Sequence, residues 1–587
     1  MIGVFWRSQW RMVLWAVAML LLACMGLHQA PLFDVDEGAF SEATREMLSS
    51  HDWGHTTLNG ADRFDKPIFI YWLQAASVAT FGLHEWALRL PSALAAWAWA
   101  LALALFARRY WGQAVGMLAG TMLLTCVGVM AIGRSATADA LLNLWLVLAA
   151  LDLWRVVECL QSPSRNGASE SWRMPLRRAA LWLGLGMLTK GPVAWLVPGA
   201  AVAVWWLTTA LMQVCWAKPV ANMGFALWAS LTSVLRQCRL CLSDAWAWLI
   251  LLGVSVPWYV YAWDRHGWAF INGFFVQHNL QRYGSTFEGH SGSLFYYVLM
   301  VPVLLLPWSF FLAPVLRHAR TLWQDGLSRY LLGWAAFVLV FFSLSGTKLP
   351  HYVLYGMSPL VLLMARAVHQ QLGKAIWVRR LTALVLFVLP LLCAGLSAWV
   401  VEHGANLAAP HLRSLYAALL AGLPVMALQV SAVLISVGVL GIFVLARWRK
   451  REHDNAGAAY VYLPLAALCV CLFIVLRLIP TWGEALQGPV RNAAQAGLAF
   501  WNKQPQGTMR ACVQWGLHQP SIGLYLQQPC PVRAPKVGEL ALVRRYQLPS
   551  LAEQSWQPRP LPMPEGLWDV VYDGPAFMLV HWRGVQP

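Results

Sequence analysis

Charge is what this sequence has least of. Only 12% of its 587 residues are Asp, Glu, Lys or Arg, against 59% that are hydrophobic, whereas a soluble globular chain carries about 25% charge. That deficit excludes one water-soluble core as the whole architecture. Acidic residues are the scarcer sign, 26 against 43 basic, for a net charge of +17. The excess does not point to nucleic acid, because the cations cluster between apolar runs. Internal repeats and charges at the middle of apolar runs are also missing, which argues against a transporter or lipid flippase. No small-residue cleavage site precedes Pro31, so the first apolar run, Met12 to Leu27, reads as a retained span rather than a secretory signal.

What is present is a series of apolar stretches of about 20 residues, each long enough to cross a bilayer as a helix. Spans are expected near 12–30, 86–106, 114–132, 140–157, 179–190, 193–212, 246–263, 295–315, 329–345, 353–369, 381–400, 427–446 and 459–479. The fold class is thus an α-helical polytopic membrane protein of about thirteen transmembrane helices. The stretch 179–190 is short for a crossing and 401–426 is ambiguous. Basic clusters occupy alternate connections: Arg7 and Arg11; Arg108 and Arg109; Arg165, Arg173, Arg177 and Arg178; Lys218, Arg236 and Arg239; Arg317 and Arg320; Lys374, Arg379 and Arg380; Arg447, Arg449, Lys450 and Arg451. The positive-inside rule assigns them, and the N-terminus, to the cytoplasm, and an odd number of spans puts the C-terminus outside.

The segment Pro67 to Gly82 carries Gln74 and leads straight into another apolar run, which suits an interfacial helix in the first outer loop. From Pro480 the composition changes to frequent Pro and Gln with short β-favouring runs, Trp568 to Tyr572 and Phe577 to Trp582. Two domains are expected, a membrane domain over 1–479 and a small outer α/β domain over 480–587. Most of the 11 cysteines lie in apolar spans, but Cys512 and Cys530 fall in the outer domain. An oxidising compartment such as a bacterial periplasm would let them pair as a disulfide; two unpaired buried thiols are the alternative.

The few outer-side charges gather in short constellations. Asp34-Val35-Asp36-Glu37-Gly38 follows the first span and precedes a short amphipathic helix, Phe40 to Leu48. A carboxylate there can orient or deprotonate an acceptor; equally, Asp36 and Glu37 can cap the helix, and spacing alone favours the cap. In Arg63-Phe64-Asp65-Lys66-Pro67 the lysine can neutralise a lipid phosphate or simply snorkel. Arg134 and Asp139, Lys190, the loop His278 to Tyr283 with Arg282, and Lys348, His351 and Tyr352 complete the set. Each alone is as well explained as an interfacial anchor or ion pair; convergence of several cations and acids at one interface suits a donor that is an anionic polyprenyl phosphate. His278 and His351 match no firm metal-ligand spacing, and no metal is expected to be required.

Taken in order, these motifs, with Thr44-Arg45-Glu46-Met47-Leu48, Asp52-Trp53, Leu58-Asn59-Gly60, Leu188 to Pro192, Pro257-Trp258-Tyr259 and Leu306-Pro307-Trp308, resemble the ArnT-like aminoarabinose transferases. These are related to protein O-mannosyltransferases and share the GT-C membrane fold. The resemblance covers roughly residues 30 to 365. It implies an inverting glycosyltransferase whose donor is a sugar on a polyprenyl phosphate such as undecaprenyl phosphate, with no other cofactor. The sugar would be 4-amino-4-deoxy-L-arabinose or a related pentose or hexose, and the acceptor lipid A, another envelope glycolipid or a protein hydroxyl. The location would be a bacterial inner membrane with the active site periplasmic, and no nucleic acid is involved; oligomeric state is left open. Asp36 matches the family's first-loop acid, Asp65 and Lys66 its Glu-Lys pair, and Asp139 the acid of its second outer loop. Catalytic roles are thus expected for Asp36, Glu37, Asp65 and Asp139. Substrate or lipid-phosphate binding is expected for Arg63, Lys66, Lys190, Arg282, Tyr283, Lys348, His351 and Tyr352. Ala39-Phe40 stands where the family often has Arg-Tyr, and Arg63 where it often has Tyr, so Arg63 is the candidate replacement cation.

Overall fold

The computed structural model describes residues 2–161, 171–216, 223–285, 292–371, 376–408, 413–449, 459–505, 510–544 and 567–584. Of the basic clusters, Arg165, Lys218, Lys374, Lys450 and Arg451 lie outside the described residues.

The first half of the chain runs α1 (Ile2–Cys24), α2 (Asp36–Ser50), a two-stranded hairpin β1 (Thr57–Leu58) and β2 (Ala61–Asp62), α3 (Phe69–Phe81), α4 (Glu85–Trp111), α5 (Gln113–Leu124), α6 (Val127–Ile132), α7 (Asp139–Gln161), α8 (Arg173–Lys190), α9 (Val193–Trp216), α10 (Met223–Leu242) and α11 (Ala245–His266). Among the described residues nine helices are long and apolar enough to cross a membrane, ten if Tyr296–Leu304 and Ser309–Arg317, bent by 116° at their break, count as one. Every expected span coincides with helix, but not every one is a full crossing. The stretch near 114–132 is broken at Thr125 and Cys126 into α5 and α6, neither of which is long enough alone. The short stretch at 179–190 is the last two thirds of an 18-residue helix that starts earlier, at Arg173.

Helices at the centre and edge of the bundle differ in what they bury. In α7, 78% of the apolar window is buried, against 22% in Val425–Leu445. On that outer helix Leu434, Val437 and Leu440 are at least half exposed, an arrangement that would be an aggregation hazard in water and is natural against lipid. Central helices approach closely where side chains are small. A Cβ on Gly116 would stand 2.4 Å from the Ala104 carbonyl, and one on Gly120 2.8 Å from that of Ala100, so α5 can lie against α4 only with glycine there.

The interfacial helix expected over Pro67 to Gly82 is α3, and its Gln74 is fully buried. It accepts from the Thr44 hydroxyl at 2.7 Å and donates to the Leu88 and Ala136 carbonyls, tying α2, α3 and α4 together. Helix continues without interruption from Ala459 through a π-helical turn, Ile474–Leu478, to Lys503. At its far end sits a four-stranded sheet of β3 (Cys512–Gln514), β4 (Leu540–Arg544), β5 (Leu567–Asp573) and β6 (Phe577–Gly584) in the order β3-β4-β6-β5. Only β3–β4 is parallel. Cys512 and Cys530 form the expected disulfide, with Cα atoms 4.9 Å apart.

Candidate active site

The site is assembled from ends of elements. Asp139 opens α7 and Lys190 closes α8, so each helix dipole favours the charge it carries. The two side chains meet at 2.5 Å. About thirteen residues further along α7, roughly 20 Å away, Asp152 pairs with Arg178 at 2.7 Å. The same two antiparallel helices are thus clamped at both ends, one clamp at the site and one at the basic end of the bundle. Lys190 also donates to the Tyr355 hydroxyl at 3.2 Å and lies 5.4 Å from the Tyr352 ring centroid. His351 Nε2 is 3.6 Å from Asp139.

A second charged group hangs on the segment between β2 and α3. The Asp65 carboxylate takes Lys66 at 2.5 Å, Arg63 at 3.0 Å and His278 at 3.2 Å. Burial alone would raise the Asp65 pKa; Lys66, Arg63 and His278 together outweigh it and hold the carboxyl well below the usual range. Lys66 is pushed down, first by burial and then by Lys190 and Arg282, with Asp65 opposing. Arg63 also donates to the Tyr71 hydroxyl at 3.2 Å and stacks over the Phe40 ring at 5.3 Å. The candidate replacement cation therefore sits in the wall beside Phe40, behind Asp65.

Between these groups opens a cavity of about 820 Å³. One end is charged, with Lys66, Lys190, Arg282, Asp65 and His278; the remainder is apolar, with Val193, Leu196, Phe274, Phe275, Phe341 and Phe342 among its walls. Tyr283 also lines it, stacked on Phe341 at 4.7 Å between centroids. The segment His278 to Tyr283, expected as a loop, is helical: Ile271–Gln281 forms a π-helix, and Arg282–Gly284 one further turn. Its aromatic start explains this, since Phe270 and Phe274 are buried against Phe64, Trp258 and Tyr259. Such wide turns recur at functional sites.

Asp36 and Glu37, adjacent in sequence, face different surroundings. Glu37 is buried and receives two bonds from Arg89, at 2.9 and 2.8 Å, and the backbone N–H groups of Phe33 and Ala136. Asp36 keeps much of its residue surface open although protein packs around its carboxylate, and neither a hydrogen bond nor an ion pair engages that carboxylate among the described residues. Burial of the carboxylate by the surrounding protein, followed by repulsion from Asp139 and Asp65, raises its pKa against the opposing pull of Lys66 and Lys190. The helix-cap reading fits neither acid: Glu37 bonds the Phe33 N–H, which lies ahead of α2, and no side chain caps the helix start. Lys348, expected to bind phosphate, is buried with its ammonium donating to the Ser343 and Ser345 carbonyls at 2.9 and 2.6 Å. It stabilises the end of the helix Gly326–Leu344, whose last carbonyls lack intrahelical partners, and does not line the cavity. Tyr355 is a polar cavity residue outside the set expected from the sequence; the apolar walls Phe274, Phe275, Phe341 and Phe342 lie outside it too. For Tyr355 the spacing of three from Tyr352, which puts both on one side of a helical turn, was the available signal.

Residues 65–236 match the family model of dolichyl-phosphate-mannose-protein mannosyltransferases. The chain is 30% identical over 373 residues to the undecaprenyl phosphate-alpha-4-amino-4-deoxy-L-arabinose arabinosyl transferase of Pseudomonas paraeruginosa, covering 63% of this chain and 61% of that one. It is 31% identical over 363 residues to the same-named protein of Pseudomonas aeruginosa strain PAO1, covering 60% of each. The match thus spans about three fifths of the length of these curated relatives. In three dimensions the chain is similar to ArnT from Cupriavidus metallidurans bound to undecaprenyl phosphate, with a TM-score of 0.71, 22% identity and 98% of both chains covered. The fold is that ArnT-like, GT-C membrane architecture.

Proposed function

We propose that this protein is an inverting glycosyltransferase that moves a sugar from undecaprenyl phosphate to an envelope acceptor at the periplasmic face of a bacterial inner membrane. The observation that carries the reading is the cavity itself: largely apolar walls and one charged end with three cations, near one unpaired carboxylate. An anionic lipid carrier is complementary to both parts, its tail to the apolar walls and its phosphate to the cations. The names of the relatives make aminoarabinose the first sugar to test, and lipid A is the first acceptor we pair with it. Clustering of basic residues at the end of the bundle away from the cavity supports the periplasmic orientation.

In the proposed reaction an acceptor oxygen attacks the sugar C1, the bond from C1 to the carrier phosphate breaks, and its electron pair leaves with the phosphate. Lys66, Arg282 and Lys190 offset the charge that accumulates there. Asp65 and Asp139 keep Lys66 and Lys190 charged and in place. With a phosphate acceptor, already ionised, Asp36 stabilises the sugar; with a hydroxyl acceptor it takes the proton. Glu37, Arg63 and Lys348 are positioning residues in this scheme, and no metal takes part in the displacement. The mannosyltransferase family model supports a protein hydroxyl as the second acceptor class. The test incubates purified protein with polyprenyl-phosphate aminoarabinose and either lipid A or protein, with mass analysis of products. Modified lipid A from wild type and a loss of at least about 100-fold in Asp36→Asn are expected; Asp36→Asn turning over at the wild-type rate would refute the assignment.

A further inference from the structure

At the basic end of the bundle, α7, α9, α10 and the helix Gly326–Leu344 enclose a second cavity, of about 480 Å³. Along that last helix it is about twelve residues from Phe341 at the first cavity to Arg329 at the second, roughly 18 Å. The charged residues lining the second cavity are two arginines, Arg236 and Arg329, with no carboxylate beside them. Arg329 is only 7% exposed. Its guanidinium donates to the Trp323 carbonyl at 3.2 Å, to the Thr209 hydroxyl at 3.0 Å and to the Met212 sulfur, a weak acceptor, at 3.1 Å. Its Nε has no acceptor among the described residues. Asp325, one turn earlier, is taken by Arg366 at 2.7 Å and by Ser328. A full charge is thus buried among neutral partners, an arrangement that is costly until an anion completes it.

The depth of this cavity is set by α10, which is not among the helices apolar enough to cross the membrane. Just beyond its end, Asp244 pairs with Arg177 at 3.0 Å at the basic end of the bundle. Trp228, Leu231, Leu235 and Leu242 recur at helical spacing along α10 and are 48% to 65% exposed, a stripe suited to lipid. Ser233, Arg236, Gln237 and Leu240, also at helical spacing, turn the other face to the cavity. The helix therefore lies along the membrane surface, and the cavity behind it stands at headgroup level. We propose that this cavity binds the phosphate of an anionic glycerophospholipid, such as phosphatidylglycerol, with Arg329 as the buried anchor and the exposed Arg236 at the mouth. Basic pockets between membrane helices recognise such headgroups. The Arg329 guanidinium lies 6.0 Å from the Trp205 ring centroid, and stacking on its face leaves its planar fork of N–H donors for phosphate oxygens. Gln161 and Gln213, both exposed at the rim, suit the hydroxyls of a glycerol headgroup. Hydrogen bonds already join α10 to α9, from Trp206 to Gln237 at 3.2 Å and from Ser230 to Gln213 at 2.6 Å. The lipid adds a charged clamp from α10 to the helix Gly326–Leu344. It is not the sugar donor, whose proposed phosphate site is at the other end of the bundle.

The test uses the full chain in detergent, delipidated and then offered phosphatidylglycerol, phosphatidylcholine or inorganic phosphate, reading retained lipid by native mass spectrometry and thermal unfolding. Tight retention of phosphatidylglycerol and a higher unfolding temperature are expected, with neither effect from phosphatidylcholine, whose phosphate is balanced by its own choline. Arg329→Gln should weaken binding by at least about tenfold, the loss of a hydrogen bond to a charged group. Arg236→Gln should weaken it about fivefold, the loss of one basic contact at a membrane surface. Because Arg236 is exposed, its substitution leaves packing unchanged and separates lost binding from lost folding. Lys66→Gln, in the other cavity, should bind phosphatidylglycerol as wild type does. Equal retention of the two lipids, or undiminished binding in both arginine variants, would overturn the site. So would loss of binding in Lys66→Gln alone, which would move the lipid to the donor cavity. Stabilisation by inorganic phosphate as large as that by phosphatidylglycerol would refute a lipid ligand in favour of a soluble phosphate.

Discussion

Three carboxylates surround the charged end of the cavity, and their partners divide the work among them. Asp65 is held well below the carboxylate range and stays ionised across the working pH range, whereas Asp36 is raised by burial and by repulsion from Asp139 and Asp65. An acid that must be ionised loses function as pH falls through its pKa. The acidic limb of kcat/KM should therefore lie above the value of about 3.9 of an ordinary aspartate. Asp139→Asn removes one repelling charge and leaves Lys190 uncompensated, and both changes favour ionised Asp36. The limb should shift to lower pH in that variant even though turnover drops. A limb that stays in place would show that a different group titrates.

Among the elements of the first loop, the deepest division is between neighbouring residues of α2. Glu37 and Arg89 form a buried pair with both carboxylate oxygens also serving backbone N–H groups. Removing the charge by Glu37→Gln leaves a buried guanidinium uncompensated, a change that costs about 3–5 kcal/mol. Asp36→Asn touches no bond and should stay within about 0.5 kcal/mol of wild type. Thermal unfolding in detergent checks the contrast, and equal destabilisation by the two would contradict it. This is also where sequence reading reached its limit. Hydrophobic runs of helical length and the order of the polar motifs made the spans, α3, the disulfide and most of the cavity cations legible. Two adjacent acids look alike in a sequence; the 100° turn between them on a helix separates their roles only once Arg89, 52 residues on, is in place. The partners of Lys348 are hidden for the same reason, because they are carbonyls at a helix end.

Across the whole molecule, the C-terminal sheet domain is fastened to the back of α2 rather than hanging free. The short helix Ser521–Leu526 presents its first residue to Asp34: the Ser521 N–H donates to Oδ1 at 3.0 Å and its hydroxyl to Oδ2. Tyr525 accepts from the Leu32 N–H and donates to Glu85, and the Cys530 N–H reaches Asn59. The seam is tight enough that a Cβ on Gly38 would stand 2.7 Å from the Ser521 backbone nitrogen. Burial raises Asp34 from 3.8 to about 7 and Glu42, which faces Gly523, from 4.5 to about 8, despite their hydrogen bonds to Ser521 and Arg45. Between the unfolded and the docked values the free carboxyls are ionised while the docked ones hold protons, so docking binds protons and weakens as pH rises. Hydrogen exchange over 510–544 should accordingly speed up, beyond its intrinsic pH dependence, from about pH 5 to about pH 8. Asp34→Asn removes one of the two titrating groups and should roughly halve that excess while slowing exchange at neutral pH. An undiminished pH response in Asp34→Asn would mean that the seam is governed by other contacts.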